Sequence, residues 1–292
     1  MNLNLNDSPL VSVYIPTRNR ADVLSRALHS VLCQTYQNIE VLVVDDGSTD
    51  GTQELMKQFT DQFSRVKYFR CEKSGGAPAA RNFAINKAQG ELVTGLDDDD
   101  YFLPDRIQVL LDNYDPHYAF ICSGYYWKYG RYKAKLHSRA KIISLSDELH
   151  YNQASNQVLV SRSRLLEVGL FDETFVSCQD WDLWVRLIAR YGPAKRISRV
   201  DYVIDTSHGG HRITDNPNRA KGFEQFLKKH NCLMSKSHRK SIYFQKVIAS
   251  GEKLALPKLI SISTWPLFTR NLKYWLSSKF PNIAKKRLDS KR

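Results

Sequence analysis

Ile39-Glu40-Val41-Leu42-Val43-Val44-Asp45-Asp46-Gly47-Ser48 is an apolar run, interrupted only by Glu40, that ends abruptly on two carboxylates. A run so short and so apolar is typical of a strand buried on both faces, as in parallel sheets. Upstream, Val11-Ser12-Val13-Tyr14-Ile15 reads as a first strand stopped by Pro16. Between Arg20 and Thr35, apolar Val23, Leu24, Ala27, Leu28, Val31 and Leu32 recur at amphipathic-helix spacing. Downstream, Thr49 or Asp50 can cap a helix reaching Phe59, and a strand follows around Val66-Lys67-Tyr68-Phe69. Ala77 to Ala88 predicts a further helix. Glu91 to Leu96 predicts a strand that runs straight into Asp97-Asp98-Asp99-Asp100, and Pro104 sits in the first turn of a helix ending near Tyr114.

Strand and helix alternating over short links predict a parallel sheet with helices on both faces. Ligands of such sheets sit beyond the carboxyl ends of the strands. Asp45-Asp46 and Asp97–Asp100 both follow strands directly, so they are expected at one edge. Tyr118 to His150 is aromatic and strand-like, with Ile121-Cys122-Ser123 and Tyr125 to Tyr129 as its clearest pieces. A helix starts near Asp180 within Phe171–Tyr191. No internal repeat or low-complexity segment is visible.

The 292 residues are 42% hydrophobic and 25% charged, enough for a real core and too apolar for wholesale disorder. Five widely spaced cysteines without a C-x-x-C argue against a disulfide scaffold or Cys-ligated zinc, and point to a reducing cytosol. Met1 to Leu10 lacks the basic and apolar regions of a secretory signal, and no apolar stretch reaches membrane-spanning length. The net charge of +13 is uneven: residues 219–292 hold 18 Lys and Arg against 3 Asp and Glu, whereas 1–218 hold 25 against 27. A near-neutral body thus carries a basic tail suited to an anionic surface, either membrane or nucleic acid.

Four consecutive aspartates raise one another's pKa, and a divalent cation such as Mg²⁺ or Mn²⁺ relieves the repulsion. The bland alternative is a solvated acidic turn ahead of the next helix. Asp45-Asp46 can accept hydrogen bonds from a base or ribose; a receiver-domain acid pair would instead follow the first strand of its domain, and here a strand and a helix precede it. In Gln179-Asp180-Trp181-Asp182-Leu183-Trp184, two carboxylates open a helix, either as dipole complement or as catalytic groups. His208-Gly209-Gly210-His211-Arg212 fits a phosphate clamp, a supplementary metal ligand or a plain turn.

Together these segments resemble the family 2 glycosyltransferases of the GT-A fold. The matching pieces are Val11 to Arg20, Val43 to Thr52, Gly75-Gly76 with Ala80-Arg81-Asn82, Leu96 to Asp100 with Pro104-Asp105-Arg106, and Asp180 to Trp184 with Arg186-Leu187, in the family's order over roughly residues 10–215. Gln179 stands where the family often has Glu, and Arg18 where it often has an aromatic. The resemblance implies a Rossmann-like, mixed but mainly parallel sheet flanked by helices. It also implies inverting transfer from a nucleotide-sugar donor, usually UDP-linked, with Mn²⁺ or Mg²⁺. Carried over by position, Pro16, Thr17, Arg18, Asn19 and Asp46 line the base and ribose pocket, and Arg81 lies near the diphosphate or base. Asp97, Asp98 and Asp99 fall in the Asp-x-Asp region, with Asp99 and Asp97 as metal ligands. Asp180 matches the catalytic base. His211 and Arg212 would close over the diphosphate, and His208 would supplement the metal.

The expected organisation is a catalytic domain over 1–218, with a nucleotide-sugar half to about 115 and an acceptor half from 116. A basic, aromatic-rich helical extension over 219–292 follows. Within residues 253–292 of the extension, Lys253, Lys258, Arg270, Lys273 and Lys279 alternate with Leu254, Leu256, Leu259, Ile260, Ile262, Trp265, Leu267, Phe268, Leu272, Tyr274, Trp275, Leu276 and Phe280, a mixture suited to the headgroup boundary of an anionic membrane. The expected enzyme works on a lipid-linked or glycan acceptor in bacterial surface-polysaccharide or lipopolysaccharide synthesis, in the cytoplasm and peripheral on the inner membrane face, with no nucleic-acid partner. A sugar nucleotidyltransferase is the alternative enzyme, although Pro16-Thr17-Arg18-Asn19 has no phosphate-loop glycine. A nucleic-acid-binding protein acting through its tail is the non-enzyme alternative.

Overall fold

A computed structural model describes residues 8–155, 157–207, 218–252, 254–263 and 268–280. The chain runs β1 (Val11–Thr17), α1 (Ala21–Leu32), β2 (Ile39–Asp45), α2 (Thr52–Gln62), β3 (Val66–Arg70), α3 (Ala77–Lys87), β4 (Leu92–Gly95), β5 (Tyr101–Phe102) and α4 (Arg106–Asp112). It continues with β6 (Ile121–Tyr129), β7 (Tyr132–Leu136), β8 (Lys141–Ile143), α5 (Leu145–His150), β9 (Val160–Ser161), α6 (Arg162–Glu167), α7 (Gln179–Tyr191) and β10 (Ala194–Asp205). Among the described residues α8 (Asn218–His230), α9 (Lys236–Ala249), α10 (Leu256–Ile262) and α11 (Phe268–Lys279) follow. Among the described residues no helix is long and apolar enough to cross a membrane.

The first sheet has the order β3-β2-β1-β4-β9, with β1 to β4 parallel and β9 antiparallel on β4. Both β1 and β2 are buried along their whole length, as the unbroken apolar runs require. Val11, Val13, Ile15, Val41 and Val43 face a core closed by α1, α2 and α4, while Tyr14, Leu42 and Val44 face one closed by α3 and α7. Pro16 does not stop β1, which continues to Thr17. Its β4 ladder ends where Tyr14 meets Gly95, so beyond that point only β2 flanks the strand and a missing N–H is tolerated.

Gly51 is the N-cap of α2, in place of Thr49 or Asp50, and the Asp50 carboxylate supports the helix from one position further out. Its Oδ1 accepts from the Thr52 amide (3.0 Å) and its Oδ2 from the Ala21 amide (3.1 Å), so one carboxylate tethers the starts of α2 and α1. Pro104 lies just before α4, whose N-cap is Asp105, and not in its first turn.

The second sheet is mixed: β5-β10-β6-β7, with β8 also on β10. Its central strand β10 has no counterpart in the sequence reading; shifts in register after Arg196 and Val200 break the alternation that would reveal it. Beyond β10, α8 and α9 pack on α5 and α7 through Leu149, Phe175, Trp181, Val185, Phe223, Phe226, Met234 and Ile242. Trp181 stacks on Phe226 with ring centroids 4.0 Å apart. Further out, Leu254 and Leu259 cover Phe244 and Val247 of α9, with Leu272 and Trp275 of α11 against them.

Candidate active site

Parallel register brings the ends of β1, β2 and β4 to one edge. Thr17 joins the two acidic loops there: its carbonyl accepts from the Asp46 amide (2.9 Å), and its hydroxyl donates to Asp98 Oδ2 (2.8 Å). Asp46 is buried and holds the loop before α3, accepting from Ser74 Oγ (2.6 Å) and from the amides of Gly75 (2.7 Å) and Gly76 (2.9 Å). Arg18 donates to the same Ser74 hydroxyl (2.9 Å). Asn19 is tied to the β2–α2 loop, its amide donating to Ser48 Oγ (2.9 Å) and its Oδ1 accepting from the Thr49 amide (2.7 Å). Thr17, Arg18, Asn19 and Asp46 therefore form one rim over the sheet edge. Asp45, buried beside them, accepts from the Ser48 amide and Tyr68 Oη and is structural.

The four aspartates after β4 do four different things. Asp97 Oδ1 accepts from Arg81 Nη2 (2.9 Å) and Gln157 Nε2 (3.2 Å). Asp98 takes the Thr17 hydroxyl, and burial, reinforced by the charges of Asp99 and Asp97, pushes its carboxyl up to about 7. Asp99 lies 3.7 Å from Arg20. Asp100 points inward, accepting from Tyr202 Oη (2.8 Å) and the Asp205 amide (3.0 Å), and burial holds its pKa well above the ordinary range. The run is thus not a plain solvated turn. Among the described residues no three His, Cys, Asp or Glu side chains gather to hold a metal by themselves. The donor set instead suits a cation bound by one or two carboxylates, with substrate phosphate completing its coordination.

Arg81 is carried by α3, with Phe171 under its guanidinium at 5.4 Å. Gln157 links the Asp97 carboxylate to Tyr14, whose hydroxyl donates to Gln157 Oε1 (3.0 Å). A Cβ on Gly95 would sit 2.1 Å from Gln157 Oε1 and 2.3 Å from the Tyr14 ring, so this relay exists because residue 95 has no side chain.

The structure separates the two carboxylates that open α7. Asp182 is fully buried and accepts from Arg186 Nε (2.9 Å) of its own helix and from His230 Nε2 (2.8 Å) and Lys229 Nζ (3.0 Å), the last two locking α8 onto α7. Despite burial, these donors hold its pKa below the ordinary value. Asp180 instead lines a cavity of about 270 Å³, together with Arg81, Asp97, Asn152, Cys178, Arg219, Phe223 and Gln245. Burial in that cavity raises its pKa, with the Trp181 amide and Arg81 opposing and Asp97 adding. Asn152 Nδ2 donates to Asp180 Oδ2 (2.9 Å), and Asn152 Oδ1 is itself fixed by the Ser155 amide (2.9 Å). Cys178, the N-cap of α7, has φ +64°, a strained setting for a non-glycine residue at the start of the helix bearing Asp180.

His208, His211 and Arg212 lie outside the described residues, as do Lys253, Trp265, Leu267 and residues 281–292 of the tail. Sequence reasoning missed Gln157, Asn152, Arg219, Phe223 and Gln245, which come from loops and helices without local signature. Gly95 inside a strand was the one readable sign of a close approach.

An acidic edge over a parallel sheet, facing a cavity lined by Asp97, Asp180 and Arg81, is the layout of a GT-A-like core. The pattern of the family described as Glycosyl transferase family 2 matches residues 12–175, and the chain belongs to that family: it is a glycosyltransferase. It is similar to the putative colanic acid biosynthesis glycosyl transferase WcaA of Escherichia coli K12, 33% identical over 270 residues covering 88% of this chain and 94% of that protein. It is also 29% identical to Escherichia coli chondroitin synthase over 66% of this chain and 28% of that one. Among solved structures, Staphylococcus aureus TarS 1–349 in complex with UDP-GlcNAc superposes with a TM-score of 0.67 at 19% identity, covering 92% of this chain and 81% of that one. The mannosyltransferase PcManGT of Pyrobaculum calidifontis, in complex with GDP-Man and Mn²⁺, gives 0.60 at 17% identity, with coverages of 96% and 88%.

Proposed function

We propose that this protein is an inverting glycosyltransferase that moves a sugar from a UDP-sugar or other nucleotide-sugar to a hydroxyl of a glycan or lipid-linked acceptor, in bacterial surface-polysaccharide synthesis. The observation that carries the reading is Asp180, facing Asp97 and Arg81 across one cavity while its neighbour Asp182 is consumed by ion pairs. The nucleotide end of the donor lies over the rim of Pro16, Thr17, Arg18, Asn19 and Asp46, and its diphosphate reaches Arg81, Asp97 and Asp98. Asp99 and Asp97 would hold Mn²⁺ or Mg²⁺, and by the sequence resemblance alone His208 would supplement the metal while His211 and Arg212 would contact the diphosphate. The cation, when bound, neutralises charge growing on the departing diphosphate.

This chain's own residues do the rest. Asn152 orients the Asp180 carboxylate, which takes the acceptor hydroxyl's proton as its oxygen attacks the anomeric carbon. One displacement breaks the bond to the diphosphate and inverts the centre. The extent of the match to the colanic acid relative, and the biosynthetic role its name gives, support the polysaccharide setting. Residues 253–292 meet the anionic inner face of the cytoplasmic membrane; Leu256, Ile260, Leu276 and Phe280 are left exposed for that contact. A panel of nucleotide-sugars with Mn²⁺ tests the reading by thermal shift and release of nucleoside diphosphate. One donor is expected to stabilise the protein and turn over, with EDTA abolishing turnover; turnover undiminished in EDTA would overturn the metal assignment.

A further inference from the structure

The β6–β7 hairpin forms the outer edge of the second sheet and has two unlike faces. Its ladder pairs Tyr125 with Leu136, Trp127 with Ala134 and Tyr129 with Tyr132, which puts these residues on one side. Tyr126, Lys128, Lys133 and Lys135 fall on the other. On the apolar side Tyr125 packs against the core, and outward from it Trp127 is 37% exposed, Leu136 39% and Tyr129 55%. Trp127 lies nearly parallel to Tyr129 (17°, centroids 6.5 Å) and edge-on to Tyr132 (6.3 Å), so the rings form one continuous strip to the turn. On the other side Lys133 Nζ stands 3.9 Å over the Tyr126 ring.

Charge is just as one-sided. Residues 125–142 contain six Lys and Arg and no acid. Lys128 and Lys141 are paired with Asp205 and Asp147, whereas Arg131, Lys133, Lys135 and Arg139 make no ion pair among the described residues. A partner lying flat on the hairpin would meet the aromatic strip or the lysines, not both. A partner entered tip first meets both, because Arg131 sits in the turn and the two faces flank it. Rings that settle at a headgroup boundary and cations that meet anionic lipid are the combination an interface recognises.

We propose that the β6–β7 hairpin is a membrane-contacting finger that docks tip first on anionic lipid. This contact is separate from the C-terminal helices and does not depend on the acceptor or the reaction. The test is sedimentation of the full-length protein with phosphatidylcholine vesicles, with and without phosphatidylglycerol. Partitioning is expected only with the anionic lipid. Lys133→Gln with Lys135→Gln is expected to cut it by roughly thirty-fold, since each lysine near such a surface contributes about 1 kcal/mol. Tyr129→Ser, at the most exposed ring, is expected to cut it too without altering thermal stability. Repeating both in a Leu276→Ser, Phe280→Ser background isolates the hairpin from the tail. Unchanged partitioning of the hairpin variants, or equal binding to neutral vesicles, overturns the proposal. So does loss of binding to a soluble acidic polysaccharide with vesicle binding intact, which would assign the finger to a polymer.

Discussion

Asp180 and Asp182 stand two positions apart at the start of α7, and sequence alone gives them equal claim to the chemistry. Their environments pull their pKa values in opposite directions, upward by burial for Asp180 and downward through His230, Arg186 and Lys229 for Asp182. Two opposite outcomes follow for the same substitution. Asp180→Asn keeps the Asn152 contact but cannot take a proton, so transfer should fall by about 10²–10⁴-fold with donor binding unchanged. Because its folded pKa is raised, the ionised carboxyl costs stability at neutral pH, and Asp180→Asn should raise the melting temperature. Asp182→Asn leaves Lys229 and His230 facing a neutral group in a buried site, and should lower stability by about 3 kcal/mol. A melting-temperature loss in Asp180→Asn, or full transfer activity, would reverse the assignment. The raised pKa also places the acid limb of kcat/KM above the ordinary carboxylate range, which a pH–rate profile checks. The motif pattern made Asp180 visible in the sequence. Asn152 was not, because it is 28 residues away in a loop and meets Asp180 only after α5 and α7 have packed.

At the scale of elements, what was legible is what local periodicity encodes. Strands β1, β2 and β4 follow from apolar runs and helix α1 from 3.6-residue spacing, and the acidic clusters follow from where β2 and β4 end. Strand β10 and the two-residue β5 were hidden because long-range pairing creates them, one strand bulged and the other too short to alternate. The link between neighbouring βα units was only half visible. Asp50 was read as a cap for one helix, yet it serves the first amides of two, from loops about 30 residues apart in sequence. Losing a single cap costs about 0.5–2 kcal/mol, so Asp50→Ala should cost toward the upper end, about 2 kcal/mol. Asp50→Asn, which keeps an oxygen for one amide, should recover roughly half. Urea unfolding of the two variants measures this, and an alanine variant as stable as wild type would show that water satisfies both amides.

For the whole molecule, the sequence-level division into a near-neutral body and a basic tail meets a structure in which α8 and α9 wall the cavity that Asp180 lines. Arg219, Phe223 and Gln245 come from these helices, and Gly222 lets α8 press on the loop before α7, where a Cβ would come within 2.0 Å of Ser177 Oγ. Gly222→Ala should therefore push α8 from that loop and weaken acceptor use before donor binding. The attachment is also electrostatic. Lys229 of α8 donates to Asp172 (2.7 Å) and Asp182, and His230 reinforces the second bond. Lys229 is the main cause lowering Asp172 to about 2, against the opposing effect of burial. A carboxylate whose folded pKa is depressed contributes stability that is fully present above its unfolded pKa, near 4, and is lost as pH falls through the folded value. Docking of α8 should hence persist at neutral pH and fail between about pH 4 and pH 2. Lys229→Met should remove much of that acid dependence and, at pH 7, lower stability by leaving Asp182 with two of its three donors. Hydrogen exchange of α8 amides as a function of pH reads the docking directly. Equal protection at pH 3 and pH 7 in the wild type would show that the aromatic contact of Trp181 with Phe226, and not the ion pairs, holds the helix in place.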